Sequence, residues 1–517
     1  MALNNYSHFK KNKAIIKFFI TSLLTSHPIM AQALDWQFKP SLSLQTVYSD
    51  NIGLLPKDLA EGAFVATISP GLSLVGKSAR NRLNLNYQMQ NIYNAGGNGD
   101  YSLFNQLQFT SKSEIKRKSL FFDARATMSQ QNNLSSRNGG DNISGGQLRT
   151  NVTTFSVSPY WTPRFNGYFN GEVRFSYDKV MLENSLASNT DSFTGSINLV
   201  SGRKFSRFSW RLSYINREQK RKESDDIKNQ NADGELRFHL GRKFNAFTQF
   251  GYSNNQFQST TTNNQNGFFY TFGAQWIPSQ RFNVELGYGN NSHISFRLLP
   301  TRHIRWNTTF NYRNIGTNTG FTWQTDFNWR TRKSVWTANY SEDTTTTQQV
   351  LLEQNIFALE DAFGNPLLDP VTNQPVQLAI DTPTLVDEVF IRRRLTVGAS
   401  YKTGKSNFNA QIFAEQRSFQ VNQNDNDVLG FSASWRWLFA RRTSLLVSPR
   451  WERNQAAISN NERFNFSVDV TRSIPVRLGR GTQLNAKVGY RYTNQTADIA
   501  INEYKENRIT ANVVFTF

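Results

Sequence analysis

The sequence predicts an all-β protein that forms a single transmembrane antiparallel β-barrel of about 24 strands, with short periplasmic turns and long extracellular loops. Three observations support this prediction. Apolar and polar residues alternate along the whole chain. Aromatic residues make up 14% of a chain that is only 38% hydrophobic, with a mean hydropathy of −0.55. The connections between the alternating segments are short and long in turn.

Residues 1–33 have the pattern of a secretory signal peptide. Lys10, Lys11 and Lys13 precede the mostly apolar stretch Ala14–Met30, and Ala31–Ala33 offers a small-x-small cleavage site. We therefore expect Sec-type export with cleavage near Ala33, and residues 34–517 would form the barrel. No later apolar run is long enough to cross a bilayer as a helix.

Composition narrows the chemistry that an exported chain of this kind can perform. Cysteine is absent, which excludes disulfides, thiolate metal sites and cysteine nucleophiles. The formal net charge is +20. In an exported protein this charge indicates anionic polysaccharide, lipid phosphate or acidic solutes as partners rather than nucleic acid.

The alternating segments are predicted to be the strands of the barrel wall. Clear examples are Arg281–Gly289, Phe321–Arg330 and Leu484–Tyr492, which carry apolar and polar residues at every second position. Side chains of a strand point to opposite faces in turn, so each segment has one apolar and one polar face. Lipid cannot satisfy backbone hydrogen bonds, so such strands must close into a ring around a wet lumen.

The polar face supplies the candidate functional residues, because charged side chains are costly against lipid and tolerated in a water-filled pore. Their mixed signs predict a polar conduit, and many of them should pair across neighbouring strands. The predicted pore-lining residues are Asp123, Arg125, Glu172, Arg174, Arg211, Glu235, Arg237, His239, Glu285, Arg305, Asp326, Glu415, Arg436, Lys487 and Arg491.

The short connections are mostly basic, as in Lys116–Lys118 and Gly241–Lys243, whereas the long ones carry much of the acid. Two interpretations remain open. The basic turns could form a periplasmic rim that collects anionic cargo, or they could be solvated turn residues that meet anionic lipid headgroups. Tracing the pattern places both ends of the barrel on the periplasmic side, provided that Ser292–Leu299 is a short strand.

The longest predicted loop is Ser341–Val386, which contains four of the chain's 14 prolines together with several leucines. Loops of this length usually have a function or lack fixed structure. We expect it either to constrict or cap the lumen, or to serve as an extracellular contact surface.

Enzymatic and metal chemistry are both disfavoured by the residues present. Glu235, Arg237 and His239 could orient a base, but no nucleophile stands out beside them. His293 and His303 bracket a predicted hairpin without a suitably spaced carboxylate, and Asn138–Asn142 lacks the ordered acids of a calcium loop. We therefore predict a protein that is not an enzyme and that has no cofactor and no metal site.

Four stretches carry a family resemblance: "SLQTVYSDNIGL" (Ser43–Leu54), "FVATISPGLSL" (Phe64–Leu74), "VELGYGNN" (Val284–Asn291) and "WTANYSEDTTTT" (Trp336–Thr347). With these four stretches in this order, the chain resembles the outer-membrane β-barrel family associated with PEP-CTERM/exosortase systems. The resemblance implies a role in envelope polysaccharide export or surface-protein display, with periplasmic export components as partners. It supplies no catalytic residues.

The last strand predicts the route of assembly. Val513, Phe515 and Phe517 lie on one face and end in a terminal aromatic, which resembles the signal that the barrel-assembly machinery recognises. Val514 is an apolar exception on the inward face. We expect the mature protein in the outer membrane of a Gram-negative bacterium, surrounded by lipid and lipopolysaccharide.

The function predicted from these features is a polar conduit or secretion component for exopolysaccharide. A structural or adhesive barrel with a closed lumen is the main alternative, and a lipid- or sugar-modifying hydrolase is a further one. A TonB-type transporter is disfavoured, because the alternating pattern begins near Trp36 and leaves no length for an N-terminal plug.

Overall fold

The computed structural model describes residues 35–517 except 97–99, 133–140, 184–186, 258–264, 354–384, 422–424, 457–458 and 476–481. The predicted signal peptide lies outside the described residues, as does the middle of the predicted long loop. Both remain predictions.

The described chain consists almost entirely of β-strands, and most of them contain a stretch of alternating apolar and polar residues. In chain order they are β1 (Asp35–Ser49), β2 (Ala63–Lys77), β3 (Asn81–Asn94), β4 (Tyr101–Lys116), β5 (Leu120–Asn132), β6 (Arg149–Trp161), β7 (Arg164–Phe165), β8 (Phe169–Leu182), β9 (Thr190–Ser201), β10 (Phe208–Arg221), β11 (Ile227–His239), β12 (Phe244–Gln256), β13 (Gly267–Ser279), β14 (Phe282–Gly289), β15 (Asn291–Leu298), β16 (Ile304–Arg313), β17 (Gly320–Arg330), β18 (Ser334–Thr346), β19 (Val389–Lys402), β20 (Ser406–Phe419), β21 (Asp425–Ala440), β22 (Thr443–Ala456), β23 (Asn460–Pro475), β24 (Gln483–Ala497) and β25 (Tyr504–Thr516).

These strands form one closed antiparallel barrel. Successive strands pair with each other, and β25 returns to β1, with Ser41 opposite Thr516 and Ser49 opposite Arg508. The two-residue strand β7 lies within the connection between β6 and β8, which pair directly, so the wall itself has 24 strands. Closure leaves no strand edge unpaired, as a lipid environment requires. The predicted fold class is confirmed.

The connections divide the barrel into two unlike ends. We call the end at which β1 begins the turn end, and the opposite end the loop end. β25 also finishes at the turn end, as the even strand number requires. The strand predicted at Ser292–Leu299 is confirmed as β15, although the single residue Asn290 links it to β14 at the loop end, where longer connections were expected.

Large apolar side chains cover the outer face of the wall. Phe64, Phe175, Phe272 and Tyr288 are among the many exposed aromatics there. Nine of the 11 tryptophans lie within six residues of the turn end of their strand, on this same face: Trp36, Trp161, Trp210, Trp276, Trp306, Trp329, Trp336, Trp435 and Trp437. A tryptophan band of this kind is typical of a membrane–water interface.

The predicted boundary of the long loop is wrong at its start. Ser341–Thr346 continue strand β18 and pair with residues 389–394 of β19. The reason is that Ser341, Asp343 and Thr345 still alternate with outward residues, and Asp343 faces Arg392 across the ladder. The short helix α1 (Thr347–Glu353) follows at the loop end. Within the described residues no helix has the length and apolar character needed to cross a membrane.

Candidate functional site

Contacts that bypass a strand identify the inner face of the wall. Arg237 on β11 reaches Glu285 on β14 at 2.7 Å, although β12 and β13 lie between them. Arg174 on β8 similarly reaches Asp123 on β5 at 3.4 Å, past β6. Side chains can meet over an intervening strand only on the concave side of a barrel, so these residues point into the lumen.

Counting the strand register from these contacts locates the remaining candidates. Arg211 lies opposite Glu235, for example, and Ser467 lies opposite Arg491. The register brings all fifteen predicted pore-lining residues to the inner face: Asp123, Arg125, Glu172, Arg174, Arg211, Glu235, Arg237, His239, Glu285, Arg305, Asp326, Glu415, Arg436, Lys487 and Arg491.

One group of these residues forms a connected ion network on the inner face of the wall, nearer the turn end than the loop end of β11 and β14. Arg237 lies 2.8 Å from Glu235 and 2.7 Å from Glu285, and Glu285 also lies 3.1 Å from His293. The Arg237 guanidinium stands 4.9 Å from the ring centroid of Phe247. Each charge therefore already has a partner, and the network stiffens the wall instead of offering a free acid or base.

The geometry gives no support to a hydrolase. A general base at His239 would need a carboxylate to orient its ring, yet the His239 Nδ1 atom lies 2.9 Å from the side-chain oxygen of Asn245. Glu235, the expected orienting group, is held by Arg211 and Arg237 instead. Among the residues that the structure describes, no three His, Asp or Glu side chains are grouped to hold a metal ion.

A second ion cluster surrounds Glu415 and is almost fully buried. Glu415 lies 2.5 Å from Arg417 and 3.1 Å from Arg394, and the side chains of Glu415 and Arg417 are only 3% and 4% exposed. Glu415 is among the predicted pore-lining residues, whereas Arg394 and Arg417 are not. The available signal was the alternation of side-chain direction along a strand, which places Arg392 and Arg394 on one face of β19.

An inward-folded segment, residues 141–146, was also missed. Asp141 lies 2.7 Å from Arg508 and 3.1 Å from Arg491, and the Ser144 hydroxyl donates a hydrogen bond to Glu506. Burial alone would raise the pKa of Asp141, but the charges of Arg508 and Arg491 outweigh it and hold that pKa well below its usual range. The Asp141 carboxylate is thus engaged by arginines, unlike the ligand of a calcium loop.

Apolar contacts hold the same segment against the wall. Ile143 packs on a buried cluster formed by Val47, Val65 and Ile92. The Gly145 amide donates a 3.0 Å hydrogen bond to the Ile52 carbonyl. The segment starts in the connection between β5 and β6 and reaches β24 and β25, so it crosses part of the lumen near the loop end.

The described ends of the long loop also cross this mouth, and we call them the mouth strap (α1 and residues 385–388). Asp387 accepts hydrogen bonds from the Ser188 amide at 2.8 Å, the Ser224 hydroxyl at 2.8 Å and the Gln348 amide group at 2.5 Å. Leu351 and Leu385 join a buried apolar cluster with Val152, Val180 and Leu182 of the facing wall. The middle of the loop lies outside the described residues.

Comparisons with known proteins add little to this picture. No protein-family model matches the chain, and no curated protein matches it in sequence. Solved structures that it is similar to include the siderophore receptor PirA from Pseudomonas aeruginosa (8% identity, TM-score 0.41, 93% of this chain and 80% of that chain). A second is the F3-3 variant of the FrpB iron transporter from Neisseria meningitidis (12% identity, TM-score 0.44, 93% of this chain and 82% of that chain). A third is a mutant of the ferric enterobactin receptor PfeA from Pseudomonas aeruginosa (9% identity, TM-score 0.43, 93% of this chain and 80% of that chain). At these values the similarity carries no argument about function, and the fold rests on the strand pairing itself.

Proposed function

We propose that this chain is an outer-membrane barrel that acts as a polar conduit or secretion component for exopolysaccharide. The observation that carries the proposal is the contrast between the two faces of a closed wall. Aromatic and aliphatic side chains cover the outside, whereas charged and amide side chains line the inside. Sec-type export and insertion by the barrel-assembly machinery would bring such a barrel to the outer membrane of a Gram-negative cell.

The chemistry of the lining favours a sugar polymer as the cargo. Many lumen charges are already paired, as in the networks around Glu285 and Glu415. Between them the inner face carries neutral hydrogen-bonding groups: Asn86, Gln88, Gln108, Gln249, Gln275, Asn307, Asn311, Gln324, Asn409 and Gln411. Amides exchange hydrogen bonds with sugar hydroxyls one at a time, so a chain can bind weakly and still move on.

The finer assignment to a PEP-CTERM/exosortase-type system belongs to the same proposal. It is supported by the four motifs between Ser43 and Thr347 that resemble that family. Anionic polysaccharide and periplasmic export components would then be the partners. A strain lacking the gene should lose surface polysaccharide and regain it on complementation. Normal surface polysaccharide in the deletion strain would contradict this assignment.

The conduit itself can be tested with single cysteines, since the native chain has none. Gln249 and Phe250 are neighbours on β12 that point to the lumen and to the outside, respectively. In planar bilayers, a bulky water-soluble thiol reagent should reduce the conductance of Gln249→Cys channels and leave Phe250→Cys channels unchanged. Equal responses from both variants, or the absence of any channels, would refute an open polar lumen.

A closed-lumen structural barrel is the second candidate, and the mouth strap is the observation that favours it. The strap and the inward-folded segment both lie across the loop end of the lumen. A sealed barrel would pass no current even when correctly folded. Conductance of the unmodified protein therefore separates the two candidates.

A further inference from the structure

The turn end of the barrel is unusually basic. The ten turns described there contain sixteen Lys or Arg residues and no Asp or Glu: Arg80, Arg117, Lys118, Arg164, Arg203, Lys204, Arg207, Arg242, Lys243, Arg281, Arg302, Arg332, Lys333, Lys405, Arg441 and Arg442. All sixteen are exposed, and within the described part of the chain none forms a salt bridge. Their charge is thus available to an external anion.

Two adjacent turns stand out from this ring because they form a single unit. Residues 162–168 link β6 to β8, and residues 202–207 link β9 to β10. The Gly202 amide donates a 2.6 Å hydrogen bond to the Tyr168 carbonyl, and the Lys204 amide donates a 3.0 Å bond to the Gly167 carbonyl. A Cβ atom at Gly202 would lie 2.1 Å from the Gly167 carbonyl oxygen, so only glycine allows this close approach.

The unit combines four cations with a group of aromatic rings that contact one another. Arg164, Arg203, Lys204 and Arg207 supply the charge, and the Lys204 Nζ atom lies 3.8 Å from the centroid of the Tyr168 ring. The aromatic contacts are Phe165–Phe169 at 4.3 Å, Phe169–Trp210 at 6.3 Å, Phe205–Phe208 at 5.1 Å and Phe205–Trp210 at 6.2 Å between centroids. We call this unit the basic–aromatic patch.

The patch faces outward. Trp210 and Phe208 occupy the face opposite the inward Arg211 and belong to the apolar outer wall. Phe165 and Tyr168 are about half exposed beside them. Aromatic rings of this type lie at the level of lipid headgroups, and cations next to them reach the phosphates.

We propose that the basic–aromatic patch binds the headgroup of an anionic phospholipid in the leaflet at the turn end. This inference rests on the proposed membrane location. Guanidinium groups bind phosphate oxygens in a bidentate manner, and the acyl chains would lie along the outer wall below Phe208. Four cations on two joined turns match a lipid with two phosphates, such as cardiolipin, better than a lipid with one.

An acidic polymer in solution is a poorer match for the same residues. Such a polymer would approach along the barrel axis and would gain nothing from rings that face the lipid. The aromatic rings between the outer wall and the four cations therefore favour a ligand with an anionic head and apolar tails.

Native mass spectrometry of the folded barrel in detergent tests this proposal. The probes are cardiolipin, phosphatidylglycerol and phosphatidylcholine. The test variant replaces Arg164, Arg203, Lys204 and Arg207 by Gln, and the control variant makes the same charge change at Arg332, Lys333, Arg441 and Arg442. We expect the test variant to bind cardiolipin about tenfold more weakly, with phosphatidylcholine binding unchanged and the control within about twofold of the native protein.

Several results would overturn the proposal. Equal losses in both variants would mean that the whole ring attracts lipid and that the patch has no special role. Unchanged cardiolipin binding in the test variant would refute the patch outright, as would equally tight, patch-dependent binding of a soluble anionic polysaccharide. Heat-modifiable migration on gels verifies that each variant is folded, and lipid binding in detergent can fail or succeed whether or not the barrel conducts.

Discussion

Ser188 and Asp387 come from opposite sides of the barrel, and the Ser188 amide donates a 2.8 Å hydrogen bond to the Asp387 carboxylate. Ser188 precedes β9 and Asp387 follows β18. Eight strands of the wall, β10–β17, lie between β9 and β18. The contact therefore runs across the mouth at the loop end. Leu385, two residues earlier, is fully buried, so the crossing is packed as well as hydrogen-bonded.

Releasing this contact should open the mouth. In the Asp387→Ala variant the Ser188 amide, the Ser224 hydroxyl and Gln348 lose their shared acceptor. Buried donors without an acceptor cost roughly 1–3 kcal/mol each, which is enough to detach the mouth strap while the wall stays folded. We expect larger and noisier single-channel currents than those of the native protein.

Asp498→Ala provides the control for the strap. Asp498 is also a loop-end carboxylate, but it is exposed and bonds only locally, to Asn460 at 2.7 Å. Its removal should leave the current unchanged. Native-like currents from Asp387→Ala would show that the strap does not obstruct the lumen.

Acid should release the inward-folded segment. Burial acts to raise the pKa of Asp141, but the charges of Arg508 and Arg491 overcome this effect and depress that pKa in the folded protein. Because the pKa of Asp141 is depressed, its carboxylate stabilises the docked segment at pH values above its unfolded pKa of about 3.9. This stabilisation is lost as the pH falls through the pKa of Asp141 in the folded protein. The change in conductance that follows protonation of Asp141 should therefore appear only below about pH 4.

Asp141→Asn imitates the protonated state at neutral pH. It should show at pH 7 the conductance that the native protein reaches only in acid. A native conductance at pH 7 from this variant would mean that Ile143 and Gly145 hold the segment without the ion pairs.

The wall could be predicted from the sequence because its signal is local. Alternation in each segment determines which residues face the lumen, and even the apolar exception Val514 lies on the inner face, 2% exposed. β15 was predicted because the even strand number required it. Each of these inferences depends on neighbouring residues or on the closure rule alone.

The structures that cross the lumen could not be predicted in the same way. The partner of Arg491 is Asp141, 350 residues earlier in the chain, and it belongs to a loop without any periodic pattern. Asp387 likewise meets Ser188 through loop geometry. The start of the long loop was misplaced because strands at the loop end continue with polar residues, such as Ser341, that resemble a loop in sequence.

Burial separates the strong ion pairs of the lumen from the weak ones. Glu415→Gln would leave Arg394 and Arg417 close together without their shared anion, at a cost of about 3–5 kcal/mol in the free energy of unfolding. Asp326→Asn removes an ion pair to Arg305 in which both side chains are about half exposed, and it should cost less than about 1 kcal/mol. Urea unfolding of the refolded variants measures both changes in the free energy of unfolding. Equal decreases in the two variants would contradict this ranking.

The terminal aromatic should matter for assembly more than for stability. The Phe517 amide donates a 3.0 Å hydrogen bond to the Pro40 carbonyl, and its side chain is 54% exposed at the seam between β25 and β1. Phe517→Ala should lower the amount of folded barrel in the outer membrane several-fold. The free energy of unfolding of the purified, refolded variant should stay within about 1 kcal/mol of that of the native protein. Phe272→Ala is the matched control, because Phe272 is equally exposed on the outer face of β13 and should leave assembly intact. Heat-modifiable migration of the barrel in outer-membrane fractions measures assembly, and equal yields from the two variants would show that the terminal residue carries no assembly signal.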